Sequence, residues 1–304
     1  MTYMPNTPKN SEILQLSHSE TDELLAEVNQ KIADKNFDYS DQKLIKQMVE
    51  CLGDTRGLVR LGYAEVLGKV GKSAVDPLIE ALLHHSNVVV RRAAGKTLTL
   101  IEDPTAVPHL IYAMLNDEDT VVQGSAVGAL ARTGEASVAP LLDILASPDS
   151  TESHKGHAAW ALAFIGAKAK DKLYAAYGSD SPNVRAAVVG AISKVAEENP
   201  SDTQALNLLL KSLQDISVDV RSEAAAVLGN LKYQPAVPHL SSLLNHSAAE
   251  TRKSAALSLM KIGDRNSIEP LQAALDQEVD QEIKKAFALA ISMLARQPEA
   301  DDWE

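Results

Sequence analysis

What the chain has little of narrows it first. A single cysteine, Cys51, stands among 304 residues. No internal disulfide can form, which fits a reducing cytoplasm as the expected compartment. Aromatic residues make up only 4% of the chain, and the period-two alternation of β-strands is absent. Basic residues are outnumbered, 29 against 41 acids, for a formal charge of −12. That argues against nucleic-acid binding, which needs clustered Lys and Arg to displace counterions, and against docking on an anionic membrane. No apolar run approaches the roughly 18–20 residues of a membrane span, so no membrane insertion is expected. The opening MTYMPNTPKNSEIL lacks the basic and apolar regions of a signal peptide. There is no G-x-x-x-x-G-K-[ST] phosphate loop, no G-x-S-x-G elbow and no paired-cysteine motif. Ordinary enzyme chemistry has no foothold here, and the catalytic residues stay unknown.

What is present is a repeat. Residues 54–83 read as two antiparallel helices. Val59 and Arg60 begin the first, Ala64, Leu67 and Val70 share one face, and Gly71 ends it. Pro77 starts the second, with Leu78, Leu82 and Leu83 as its stripe. Arg60 then has counterparts at Arg91, Gln123, Lys155, Arg185, Arg221, Arg252 and Lys284, at steps of 31, 32, 32, 30, 36, 31 and 32 residues. Seven residues after each anchor stands an aliphatic side chain: Leu67, Leu98, Leu130, Leu162, Ile192, Leu228, Leu259, Ile291. Pro77, Pro108, Pro140, Pro238 and Pro270 recur 17 or 18 residues after theirs. A helix-pair period of this length predicts an all-α, right-handed α-solenoid of about seven to eight helix pairs. Abundant small residues suit its close helix packing.

The organisation follows. Residues 1–18 read as a flexible tail. Residues 19–53 read as two capping helices, the first N-capped by Ser19 or Thr21 and the second by Ser40; such a pair covers the apolar face an end repeat would leave bare. The solenoid spans 54–294, and 295–304 form an acidic tail. Repeat five is the long one, stretched by EENPSD. Asp54, Asp180 and Asp215, five or six residues before their arginines, suggest an acid–base ladder of structural purpose.

Repeat four departs from its neighbours. Counting from the anchor, offset 9 is Lys69, Arg132, Lys194 and Lys261 in four other repeats, but Phe164 here. Offset 5 is often small or polar, but Trp160 here. The residue before the anchor is Val, Thr or Ile elsewhere, but His154 here, with His157 one turn on. Tyr174 and Tyr177 come from the partner helix. Trp160, Phe164, Tyr174 and Tyr177 are four of twelve aromatics, within 18 residues. An aromatic cluster on a polar surface suits partner or ligand binding; filling a gap where the longer fifth repeat alters the stack would equally place it there. His154 and His157 lack a third ligand, so no metal site is expected. Second helices should line a groove into which Glu80, Tyr112, Asp143 and Tyr177 point.

The wording VRRAAGKTLTLIEDPTAVPHLIYAML and VRSEAAAVLGNLKYQPAVPHLSSLL, with HAAWALAFIG close to the same pattern, resembles the HEAT-like repeats of phycobilisome lyases. The resemblance covers about residues 54–294 and implies a cyanobacterial, cytoplasmic, divergent member rather than the E-type lyase subunit. It implies a protein-binding scaffold that handles bilins on phycobiliproteins by attachment, transfer or release. It implies no permanent cofactor, a transient bilin of the phycocyanobilin type, and a phycobiliprotein subunit as partner, with room for a second lyase-like subunit. The alternative is a non-catalytic scaffold for another cytoplasmic protein, such as an iron–sulfur or cofactor assembly factor. Similar iron hydroxylases use His-Glu pairs, and none occurs here.

Overall fold

Each repeat of the sequence becomes a helical hairpin. The computed structural model describes residues 16–296, all helix and turn with no strand among them. The parts of the two tails at 1–15 and 297–304 lie outside the described residues. The helices are α1 (His18–Ala33), α2 (Gln42–Glu50), α3 (Gly57–Val70), α4 (Val75–His84), α5 (Val88–Ile101), α6 (Val107–Asn116), α7 (Thr120–Arg132) and α8 (Glu135–Ala146). There follow α9 (Glu152–Ile165), α10 (Lys170–Ala176), α11 (Pro182–Glu198), α12 (Thr203–Ser212), α13 (Val218–Asn230), α14 (Val237–Leu243), α15 (Ala249–Ile262), α16 (Ile268–Gln277) and α17 (Gln281–Ala295).

The chain divides after Ser137 into two units. In the first, α3, α5 and α7 lie side by side, and α4 and α6 pack against the first helix of the repeat that follows. In the second, α9, α11, α13, α15 and α17 form the same kind of row, backed by α10, α12, α14 and α16. Each hairpin thus buries its stripe chiefly against its neighbour, as repeat architecture requires.

The offset-7 residues are the centre of that packing. Leu67, Leu98, Leu130, Leu162, Ile192, Leu228 and Leu259 are buried. Ile291, on the last described helix, is half-buried, and Phe287 and Leu294 fill the core there instead. Gly71, Gly134, Gly166 and Gly263 close first helices at positive φ, where a side chain would be strained.

Local boundaries differ from expectation: α3 begins at Gly57 rather than Val59, α4 begins at Val75 so that Pro77 is its third residue, and both capping helices start elsewhere. The first helix is capped by Ser17, two residues earlier than Ser19, because Glu20 completes a capping box with it: Ser17 Oγ accepts from Glu20 N while Ser17 N donates to the Glu20 carboxylate. The second is capped by Asp41 rather than Ser40, since the Asp41 carboxylate accepts from Leu44 N at 2.9 Å.

The acid–base ladder exists, with different wiring. Six of the eight anchors donate to the backbone carbonyl six residues before them: Arg60 to Asp54, Arg91 to His85, Gln123 to Asp117, Arg185 to Ser179, Arg221 to Asp215 and Arg252 to His246; Lys155 pairs with Glu152 on its own helix. The carboxylate comes from the next repeat: Arg91 meets Asp117 at 3.0 Å, Arg185 meets Asp215 at 2.8 Å and Arg252 meets Glu278 at 2.6 Å. In these three repeats one side chain ties its own turn and the following one; Gln123, uncharged, makes the bond to its own turn. The Asp54 carboxylate pairs with Arg56, not Arg60.

The Arg252 guanidinium holds the nearly buried Glu278 carboxyl down at about 2, aided by the Val279 and Asp280 N–H groups. An unfolded glutamate titrates near 4.5, so this pair stabilises the fold fully above that pH and loses its effect as pH falls through about 2. Glu278→Gln should lower the melting temperature at pH 7 and flatten its decline between pH 4.5 and 2; an unchanged slope in thermal melts would contradict the assignment.

Candidate functional site

α9 carries the residues that make repeat four unusual. Thr151 caps it, its Oγ1 accepting from His154 N at 3.2 Å, and Gly166 ends it at φ 46°. Ala158, Ala161, Leu162 and Ile165 are buried. That fixes the rotation of the helix and turns offsets 5 and 9 away from the core. Trp160 and Phe164, four residues apart, are 53% and 54% exposed. Their rings stack with centroids 5.6 Å apart and planes inclined at 24°. The pair thus presents apolar surface to solvent rather than to the core.

His154 and His157 lie one turn apart on the same helix, both half-buried. The Nδ1 of His157 is buried and has no hydrogen-bond partner. Among the described residues, no cluster of three or more His, Cys, Asp or Glu could hold a metal ion.

The tyrosines of α10 and its C-terminus take another direction. The Tyr177 hydroxyl donates to the Leu208 carbonyl at 3.3 Å and lies 3.1 Å from Ser212 Oγ, both on α12, and Lys211 Nζ stands 5.7 Å from the ring centroid. The Tyr174 hydroxyl is buried without a geometrically sound hydrogen bond. Burial, with the Asp202 carboxylate close by, pushes its phenol up to about 12. Neither tyrosine shares a ring contact with the α9 pair. The four aromatics close in sequence thus form a stacked, exposed pair on α9 and two rings engaged toward the fifth repeat.

The remaining candidates are spread out. Glu80 on α4 is exposed and pairs with Lys46 at 3.1 Å. Tyr112 on α6 is 57% exposed. Asp143 on α8 is exposed. A shallow depression of about 680 Å³ lies elsewhere, along α16 and the turn before it, lined by Ile268, Glu269, Gln272 and Asp276 among others.

Two features escaped the sequence reading. Leu289 and Met293, at offsets 5 and 9 of α17, are 50% and 45% exposed, repeating in aliphatic form the Trp160 and Phe164 positions. The second is Lys194 on α11, whose Cβ would lie 3.1 Å from a Cβ added to Gly166. Lys194 therefore packs against the glycine that ends α9, two residues past Phe164. The signal for both was the register already in use, applied across neighbouring repeats rather than within one.

Among the described residues no helix is long and apolar enough to cross a membrane. The family model for HEAT repeats matches residues 75–152, 138–219 and 206–292. The chain is 41% identical over 298 residues to the Bilin biosynthesis protein MpeU of Synechococcus sp. (strain WH8020), a match covering 97% of this chain and 100% of that one. Structures of Kap121p bound to Ste12p and of Kap121p bound to the extreme C-terminus of the protein phosphatase Cdc14p align over 93% of this chain, each with a TM-score of 0.58. Identities are 14% and 13%, and only 38% of each Kap121p chain is covered, so that likeness is one of fold.

Proposed function

We propose, from the premise that this chain belongs to the HEAT-repeat family of phycobilisome-lyase type, that it is a cytoplasmic scaffold which holds a linear tetrapyrrole and presents it to a phycobiliprotein subunit. The observation that carries this reading is the exposed Trp160–Phe164 stack. A bilin is conjugated, flat over each ring pair and apolar on its faces, so it gains from an aromatic platform beyond simple area burial. His157, one turn earlier on α9, is half-buried with its Nδ1 turned inward, so it stands behind the platform rather than on it. Left unsatisfied, such a buried nitrogen costs about 1–3 kcal/mol.

The bond-making partners in attachment are the bilin and the acceptor. A cysteine thiol adds across an exocyclic carbon–carbon double bond of the bilin: sulfur bonds to one carbon, the thiol proton ends on the other, and nothing leaves. The chain's part is orientation, which converts an encounter of two flexible partners into a positioned one. Attachment, transfer and release would all use the same held geometry.

The test is to mix the purified full chain, phycocyanobilin and an apo-phycobiliprotein subunit, then separate by gel filtration and under denaturing conditions. The expected result is co-elution of bilin with the chain alone and faster or more site-selective colouring of the acceptor in its presence. A chain that neither holds bilin nor changes the rate or site of attachment would contradict the proposal.

A further inference from the structure

Two of the outward cations at offset 9 reach back to the preceding repeat. In repeat three, Arg132 at offset 9 reaches back to Glu102, at offset 11 of the repeat before. In repeat seven, Lys261 at offset 9 reaches back to Asn230, at offset 9 of the repeat before, with Nζ donating to Oδ1 at 2.8 Å. The preceding repeat supplies the acceptor in both cases. Repeat five differs. The two corresponding positions before Lys194 are Phe164 and Gly166, neither of which has a side-chain acceptor. Lys194 instead pairs with Glu197 on its own helix at 2.6 Å, both side chains being nearly half exposed. Exposed pairs at this spacing are weak and readily exchanged.

The result is an ammonium group whose inter-repeat partner has been replaced by an exposed aromatic stack. The Lys194 Cβ lies 3.1 Å from where a Gly166 side chain would begin, two residues past Phe164 along the chain, with Glu198 Oε1 4.0 Å from the same point. One repeat step further, at offset 5 of α11 and the register of Trp160, stands Gly190, over which the Glu223 carboxylate of the next repeat lies, 2.9 Å from where a Cβ would be. An aromatic wall with a cation at one rim suits a flat ligand that carries an anion at its edge.

We propose that Lys194 is the carboxylate-binding residue of this surface, taking one propionate of a linear tetrapyrrole whose rings lie on Trp160 and Phe164. The proposal rests on the bilin-handling reading and deepens it. Lys194 donates to the propionate in place of Glu197, and the contact sets which end of the chromophore faces the acceptor.

The experiment compares phycocyanobilin with its dimethyl ester, in which both propionates are masked, by absorption titration of the full chain. Wild type is expected to bind the free acid about five- to tenfold more tightly than the ester. Lys194→Gln should lose that preference by weakening the acid alone, and Glu197→Gln should strengthen the acid by removing the competing carboxylate. Lys261→Gln, the same register two repeats away, should bind both like wild type. Equal affinity of wild type and Lys194→Gln for the acid would overturn the assignment while leaving bilin binding intact. Failure of wild type to bind either compound would overturn the underlying reading as well. Lys194 is exposed, so its replacement is not expected to disturb folding, and matching melting curves check this.

Discussion

Trp160→Ala should weaken phycocyanobilin binding by roughly 10- to 30-fold while leaving thermal stability within about 0.5 kcal/mol of wild type. Both halves follow from position. The ring is 53% exposed and, among the described residues, its only ring contact is Phe164, so the fold loses little without it. A ligand on the platform loses an aromatic face together with the apolar area beneath it, and such central aromatics typically dominate recognition. Phe164→Ala should act in the same direction with a smaller effect, since indole offers the larger surface. The two losses should not add, because each ring orders the other. Tyr177→Ala supplies the contrast. Its hydroxyl is tied to α12, so its removal should lower the melting temperature more than it changes bilin affinity. If Trp160→Ala unfolds the protein instead, the stack is a packing element and its recognition role falls.

Leu228→Ala should destabilise the fold by about 2–5 kcal/mol, the usual range for a fully buried leucine cut back to a methyl. Leu228 is completely buried at offset 7 of α13, with α11 on one side and α15 on the other. A cavity there touches two inter-repeat seams, and stability in repeat arrays is a sum of such seams. Amide exchange should therefore speed up across α11, α13 and α15 before α3 and α5 respond. A loss below about 1 kcal/mol in chemical denaturation would contradict the view that offset 7 is the centre of the packing.

The contrast between these two variants shows where the sequence was readable. Offset 7 could be read because burial by a neighbour demands an aliphatic group at one register in every unit, and Leu67 through Leu259 meet that demand. The anchor arginines were readable as structural, but not their wiring. Their recurring acceptor is a backbone carbonyl, which leaves no trace in residue identity, so the acids nearby drew attention that belonged to the following repeat. Helix starts shifted by one or two residues because several Ser, Thr and Asp compete there, and the capping box of Ser17 and Glu20 decided the first one.

At repeat four, sequence proximity grouped four aromatics that helix direction separates. Trp160 and Phe164 share the outward side of α9, while Tyr177 is engaged with α12. Lys194 was missed for the opposite reason. It lies 30 residues from Phe164 in sequence, and only the side-by-side packing of α9 and α11 brings the same offset of two repeats together. Substitutions compared across repeats, rather than clusters counted along the chain, would have found it.

The central claim is that the α9 platform binds a bilin, and the most direct measurement is fluorescence. The chain has two tryptophans, Trp160 and Trp303, so Trp303→Phe leaves Trp160 as the only reporter. Titrating that variant with phycocyanobilin should give saturable quenching together with a red-shifted visible band, both following one binding curve. A bilin spectrum that saturates while Trp160 emission stays constant, or no spectral change at tens of micromolar ligand, would contradict the account.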